Sequence, residues 1–177
     1  QYILEMRLKA GDKLVGAQPV AGFFPELTGL TLRMVERYGE TFLPPFEDFR
    51  LNVGDTLVMA ATRPELTDAL SDQDHPLSSL AEEHAEGVKP GNINQPTLAE
   101  VVVAPGSRMN GRSVYQTGFH FETGCKVLGI QRRSRMLRQN LRDIRLEAGD
   151  VLLVLGSSKQ IQGCLLYTSD AADEEDS

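Results

Sequence analysis

Between positions 132 and 145 the chain carries Arg132, Arg133, Arg135, Arg138, Arg142 and Arg145, with Asp143 and Glu147 as the nearby carboxylates. Guanidinium forks at this density can hold a phosphate, a dinucleotide or an anionic lipid headgroup through charge-assisted hydrogen bonds. The same pattern also serves a solvated hairpin edge, where charge discourages one sheet from adding to another. As a ligand site the candidates are Arg132, Arg133, Arg135 and Arg138, and both readings stay open on the residues alone. His75 and His84 stand among Asp72, Asp74, Glu82, Glu83 and Glu86. A metal centre needs ligands at a fixed spacing on a common face, which these lack, so they read as solvated histidines and no metal site is expected. Cys125 reads as a small buried residue opening a strand. No Gly-x-Gly-x-x-Gly follows a strand, and no Gly-x-Ser-x-Gly, His-Glu-x-x-His or paired-cysteine pattern occurs. Neither catalytic residues nor a cofactor are therefore expected.

The elements that would position these side chains are organised around a turn used twice. Gly54-Asp55 and Gly149-Asp150 each precede an apolar run, Thr56 to Ala61 and Val151 to Gly156. Glycine tolerates the positive φ of a tight turn, aspartate hydrogen-bonds the local backbone, and the run that follows reads as a buried strand. The two copies lie 95 residues apart, and the whole chain matches itself at that offset without a gap. Glu5 meets Glu100, Gly16 meets Gly111, Thr28-Gly29 meets Thr123-Gly124, Arg37 meets Arg132, and Arg50-Leu51 meets Arg145-Leu146. Two copies at so long a spacing indicate tandem domains rather than a solenoid. The reading is an α+β chain with a first domain at 1–70, an acidic linker at 71–97 and a second domain at 98–163. Each domain is expected to be a mainly antiparallel sheet with short helices. Strands are expected at Leu4 to Leu8, Leu30 to Arg37, Leu98 to Ala104 and Cys125 to Gln131, and short helices over Gly16 to Phe24 and near Gly111 to Thr117. Thr62-Arg63-Pro64-Glu65 and Ser157-Ser158-Lys159-Gln160 are capping boxes that start the helix closing each domain. A further short helix is expected around Ser79 to Glu86.

The stretch from Cys164 to Glu174 resembles the conceptual translation of a transposase-type sequencing adapter, so residues 164–177 are expected to be foreign to the natural protein. Without their acidic residues the formal charge moves from -7 to -2. Cys125 is then the remaining cysteine, which excludes an intramolecular disulfide framework and fits a reducing compartment. The start at Gln1 reads as the interior of a longer coding sequence. No run approaches the about 18 apolar residues of a membrane span.

Ala99-Glu100-Val101-Val102-Val103, Ser107 to Arg112, Val127 to Arg132 and Leu146 to Val154 resemble the TrkA C-terminal domain, also called the RCK C-terminal domain. The first domain is similar through Leu4 to Leu8, Leu14-Val15-Gly16, Val35-Glu36-Arg37 and Val53-Gly54-Asp55. Two such domains in direct tandem look like the cytoplasmic insert of bacterial divalent anion:sodium symporter permeases. That resemblance implies a regulatory domain, ligand-sensing or dimerising, at the cytoplasmic face of the bacterial inner membrane, with transport residing outside these residues. The implied partners are the membrane-embedded part of the same parent chain, a second copy in a homodimer, and a small anionic or nucleotide ligand; nucleic acid is not among them. A potassium-uptake regulatory subunit and a ligand-independent dimerisation scaffold are the alternatives. Pro19 and Phe23-Phe24-Pro25 depart from the family where the first short helix would run.

Overall fold

The computed structural model describes residues 1–80, 97–135, 137 and 139–168. The chain forms two compact units, residues 1–80 and 81–177, and each mixes an antiparallel sheet with a few short helices.

In the first unit, alternating Leu4, Met6 and Leu8 begin in β1 (Tyr2–Arg7), which pairs antiparallel with β4 (Thr56–Ala61). The other edge of β4 pairs with β2 (Thr31–Arg37), and β2 pairs with the short β3 (Glu40–Phe42). The order within the unit is thus β3-β2-β4-β1. β4 is central, and from Leu57 to Ala61 it is buried throughout, which is why its sequence runs apolar instead of alternating. Tyr38 and Gly39 both take positive φ, 49° and 80°, the conformation of the two-residue hairpin turn that joins β2 to β3. Thr62 then caps α1 (Arg63–Ser71) in the expected capping box.

The second unit has β5 (Thr97–Val102), β6 (Lys126–Gln131) and β7 (Val151–Gly156), in the order β6-β7-β5. β7 is buried along its whole length and pairs antiparallel with both neighbours. The register shifts between Leu32 and Met34 in β2 recur between Val127 and Gly129 in β6, 95 positions on. The family of Ser157 and Gln160 bonds starts α3 (Ser158–Thr168), which packs on β5 and β7 and continues past residue 163, where the foreign stretch is expected to begin.

The short helices fall elsewhere than expected. Residues 16–24 form turns and a hairpin, followed by a three-residue 3₁₀ helix at Pro25–Leu27. Residues 111–117 are turns, and the helix of that region is α2 (Phe119–Thr123). Isolated i to i+3 bonds hold both stretches, as in Val15 N–H to Asp12 O and Ala17 N–H to Leu14 O, or Asn110 N–H to Ser107 O and Arg112 N–H to Met109 O. Gly16 and Gly111 sit at φ of 88° and 81°, so neither run of turns propagates into a helix. The compact body of the first unit also continues past residue 70, because Leu77 and Leu80 are buried and Lys13 Nζ donates to the Gln73 carbonyl at 2.9 Å. The remainder of the expected Ser79 to Glu86 helix, and His84 with it, lie outside the described residues.

Candidate functional site

The Gly-Asp turns are built to receive an arginine. In the first unit the Asp55 carboxylate accepts from Asn52 N–H at 2.8 Å, and Gly54 N–H and Leu8 N–H tie the turn to the end of β1 at 2.8 Å each. The Arg37 guanidinium, at the end of β2, meets Asp55 edge-on: Nε donates to Oδ1 at 2.8 Å and Nη2 to Oδ2 at 2.7 Å, while Nη2 also reaches the Arg50 carbonyl at 2.8 Å. The second unit reproduces each bond. Arg132 Nε and Nη2 donate to Asp150 Oδ1 and Oδ2 at 2.9 Å, Nη2 donates to Arg145 O at 2.8 Å, and Glu147 N–H donates to Asp150 Oδ2 at 2.9 Å. Both aspartates are buried. The hydrogen bond to its aspartate raises the pKa of each arginine above the ordinary value, so each guanidinium stays charged.

This geometry corrects the reading of Arg132. It is bound into the fold, with its side chain 6% exposed and Nη1 3.4 Å from Glu147 as well. It ties β6 to the turn before β7, as Arg37 ties β2 to the turn before β4. Arg133 is exposed, and Arg135 is exposed with an ion pair to Glu147 at 3.4 Å. Arg138 lies outside the described residues. Arg142 and Arg145 are exposed, and Arg145 Nη1 donates to Gly111 O at 3.2 Å. Gly54 and Gly149 take positive φ, 91° and 92°, and Asp55 and Asp150 beside them are buried. His75 is buried rather than solvated: its Nδ1 accepts from Leu77 N–H at 3.1 Å and its Nε2 faces Thr28 O at 3.3 Å. The tautomer carrying the proton on Nε2 satisfies both partners. Among the described residues no group of three or more His, Cys, Asp or Glu side chains could hold a metal ion.

Sequence reasoning passed over a cleft in the second unit. It has a volume of about 440 Å³ and is walled by Tyr115, Phe119, Phe121, Val127 and Leu141, with Lys126 among them. His120 also lines it and is anchored by Nδ1 to the Cys125 carbonyl at 3.1 Å. Gly118 also lines it. The misplaced helix hid it: with the helix at 111–117, Phe119 and Phe121 do not share a wall. At the corresponding positions of the first unit stand Val20 for Tyr115, Phe23 for Gly118, Phe24 for Phe119 and Phe46 for Leu141. There Phe24 and Phe46 pack with ring centroids 5.8 Å apart, and Val20 and Phe23 project from a tight hairpin.

Residues 98–163, within the second unit, match the TrkA-C domain family. The chain therefore contains a TrkA-C domain. Among its relatives is the protein called uncharacterized transporter sll0640 of Synechocystis sp. (strain ATCC 27184 / PCC 6803 / Kazusa), 26% identical over 132 residues, which cover 71% of this chain and 21% of that protein. Another is the uncharacterized transporter YfbS of Escherichia coli (strain K12), 38% identical over 64 residues, 36% of this chain and 10% of that one. The chain thus spans about a fifth and a tenth of the lengths of these two relatives. The crystal structure of the GsuK RCK domain aligns with 94% of the chain and 63% of its own length at 12% identity and a TM-score of 0.34, too loose a superposition to carry an inference. No helix among the described residues is long and apolar enough to cross a membrane.

Proposed function

We propose that the chain is the regulatory module of a bacterial membrane transporter, built from two TrkA-C-like domains in tandem at 1–70 and 98–163, with 164–177 foreign to it. The observation that carries this reading is the repeated arginine–aspartate tie. The bonds that Arg132 makes to Asp150 and Arg145 in the matched domain recur from Arg37 to Asp55 and Arg50, in residues that the family match leaves out. Two relatives bearing the name transporter support the parentage. The parent is a divalent anion:sodium symporter-type permease, and the module lies at the cytoplasmic face of the inner membrane, in one chain with the membrane-embedded part that carries out transport. Its role is regulatory and not enzymatic. A small anionic ligand would be met by Arg133 and Arg135, since Arg132 is engaged in the fold. Regulation then requires that the ligand bind the two states of the transporter with different affinity.

The test is to sequence the source DNA outward past Gln1 and past Gly163. Apolar spans of about 20 residues are expected on both sides. A strand followed by Gly-x-Gly-x-x-Gly overturns the permease reading and makes the module part of a nucleotide-gated potassium-uptake subunit.

A further inference from the structure

Two positions that line the cleft in the second unit correspond to positions that project in the first. Phe23 stands where the second unit has Gly118, and Val20 where it has Tyr115. Val20 and Phe23 exchange backbone bonds, N–H to O at 2.7 Å one way and 3.1 Å the other, around Ala21 and Gly22 at φ of 53° and 84°. The result is a tight hairpin that holds Phe23 77% exposed and Val20 65% exposed. Ala21 lacks glycine's freedom, so this turn is held against a local preference for negative φ. At the cleft, Tyr115 is 62% and Phe121 92% exposed. Apolar groups gathered this way on a rim mark a surface of interaction more than a solvated one.

We infer that a second copy of this chain seats its Val20–Phe23 hairpin in the α2/β6 cleft. A cleft of about 440 Å³ has room for a phenylalanine ring with a valine beside it. Its aromatic walls suit the offset and edge-on contacts that a phenyl ring prefers. The charges agree as well. Glu26, exposed three residues after Phe23, would approach the cleft wall that carries Lys126. Glu122 on α2 is the acidic neighbour of that wall and would face the incoming Glu26 if the hairpin entered from its side. The approach from the Lys126 side is therefore the favoured one. Hairpin and cleft are different surfaces of one chain, so the contact is heterologous, each copy offering one of each. Contacts built on a single hairpin fall at the small end of protein interfaces, so the association is reversible and concentration-dependent. This inference stands apart from the transporter reading, because it concerns only how copies of the module meet.

Sedimentation velocity on the chain, from low to high micromolar concentration, tests it. The wild-type sedimentation coefficient is expected to rise with concentration. Phe23→Ser and Phe121→Ser should each weaken association at least about tenfold, the loss of one buried aromatic anchor. Both side chains are exposed in the free chain, so the melting temperature should stay unchanged. Glu26→Lys should weaken association, and Glu26→Lys combined with Lys126→Glu should restore it, a rescue that no folding defect produces. A wild-type chain that stays monomeric throughout overturns the inference, as does association indifferent to Phe23→Ser or a charge swap without rescue.

Discussion

Arg37 and Arg132 make the same bonds to the same turn, yet they are covered differently. Arg37 is 23% exposed and lies beneath aromatic faces, its guanidinium carbon 4.7 Å from the Phe49 ring centroid and 5.7 Å from that of Phe42. Phe49 extends that cover through Phe46 to Phe24. Arg132 is 6% exposed and has instead a second carboxylate, Glu147. The fork onto the turn is common to both units, while the cover is a local solution. In the first unit β3 and the phenylalanines supply it, and in the second unit the longer side chain at position 147, where the first has Asn52. The difference fixes how much water reaches the aspartate once its cation is removed. Arg132→Ala leaves Asp150 buried without a counter-charge and should cost about 3–5 kcal/mol. Arg37→Ala strands Asp55 at a place that its cation already shared with solvent, and should cost about 2–3 kcal/mol, the loss of hydrogen bonds to a charged group. Hydrogen exchange read separately on β4 and β7 distinguishes the two. Equal losses, or a larger one for Arg37→Ala, would break the comparison.

The buried strands β4 and β7 were legible because they rest on short-range signals. Gly-Asp followed by an apolar run fixes a turn and a strand within a dozen residues, and the 95-residue offset then carries the assignment from one unit to the other. The task of the arginines was not legible. Arg132 and Asp150 lie 18 residues apart and meet because β6 and β7 pair in one register, so spacing along the chain did not distinguish a tie inside the fold from a ligand site. Arg37 was matched to Arg132 by the offset, and its role went unread for the same reason. The short helices failed differently: one turn between residues 12 and 17 has the same local bonds as the start of a helix, and Gly16 decides that it goes no further. His75 did leave a signal, since Leu77 and Leu80 follow it with apolar spacing in an otherwise polar stretch.

The glycines before β2 and β6 sharpen the contrast between the units on a smaller scale. Gly29 and Gly124 both take positive φ, 82° and 75°. A side chain at Gly29 would find its nearest neighbour, Glu65 Cγ, at 3.9 Å, whereas one at Gly124 would meet Gln160 Nε2 at 2.6 Å. Gly29→Ala should therefore cost the left-handed strain alone, about 1–2 kcal/mol. Gly124→Ala should cost about 1 kcal/mol more, because it displaces the amide that accepts Ser157 N–H at 2.9 Å and so opens the cap of α3. Calorimetry should show the larger fall in melting temperature for Gly124→Ala, and equal falls would mean that Gln160 moves aside with its cap intact.

The smallest effect follows from the chemistry of those same two caps. At α1 the carboxylate of Glu65 accepts Thr62 N–H at 2.7 Å, and at α3 the amide oxygen of Gln160 accepts Ser157 N–H in its place. The bond from the Thr62 backbone, and then the one from its side chain, hold the Glu65 carboxyl below the ordinary value of 4.5. A depressed carboxyl contributes stability that is complete above its unfolded value and is lost as pH falls through the folded one. Acid below about pH 4.5 should therefore loosen the first turn of α1, whereas the amide at α3 does not titrate in that range and its cap should hold. Amide chemical shifts of residues 62–66 and 157–161, followed between pH 7 and pH 3, read the two caps side by side. Glu65→Gln should remove the titration from the first set and make α1 behave like α3. If both sets move together, or if the first still titrates in the Glu65→Gln variant, the pH dependence belongs to another group and the caps do not differ in this respect.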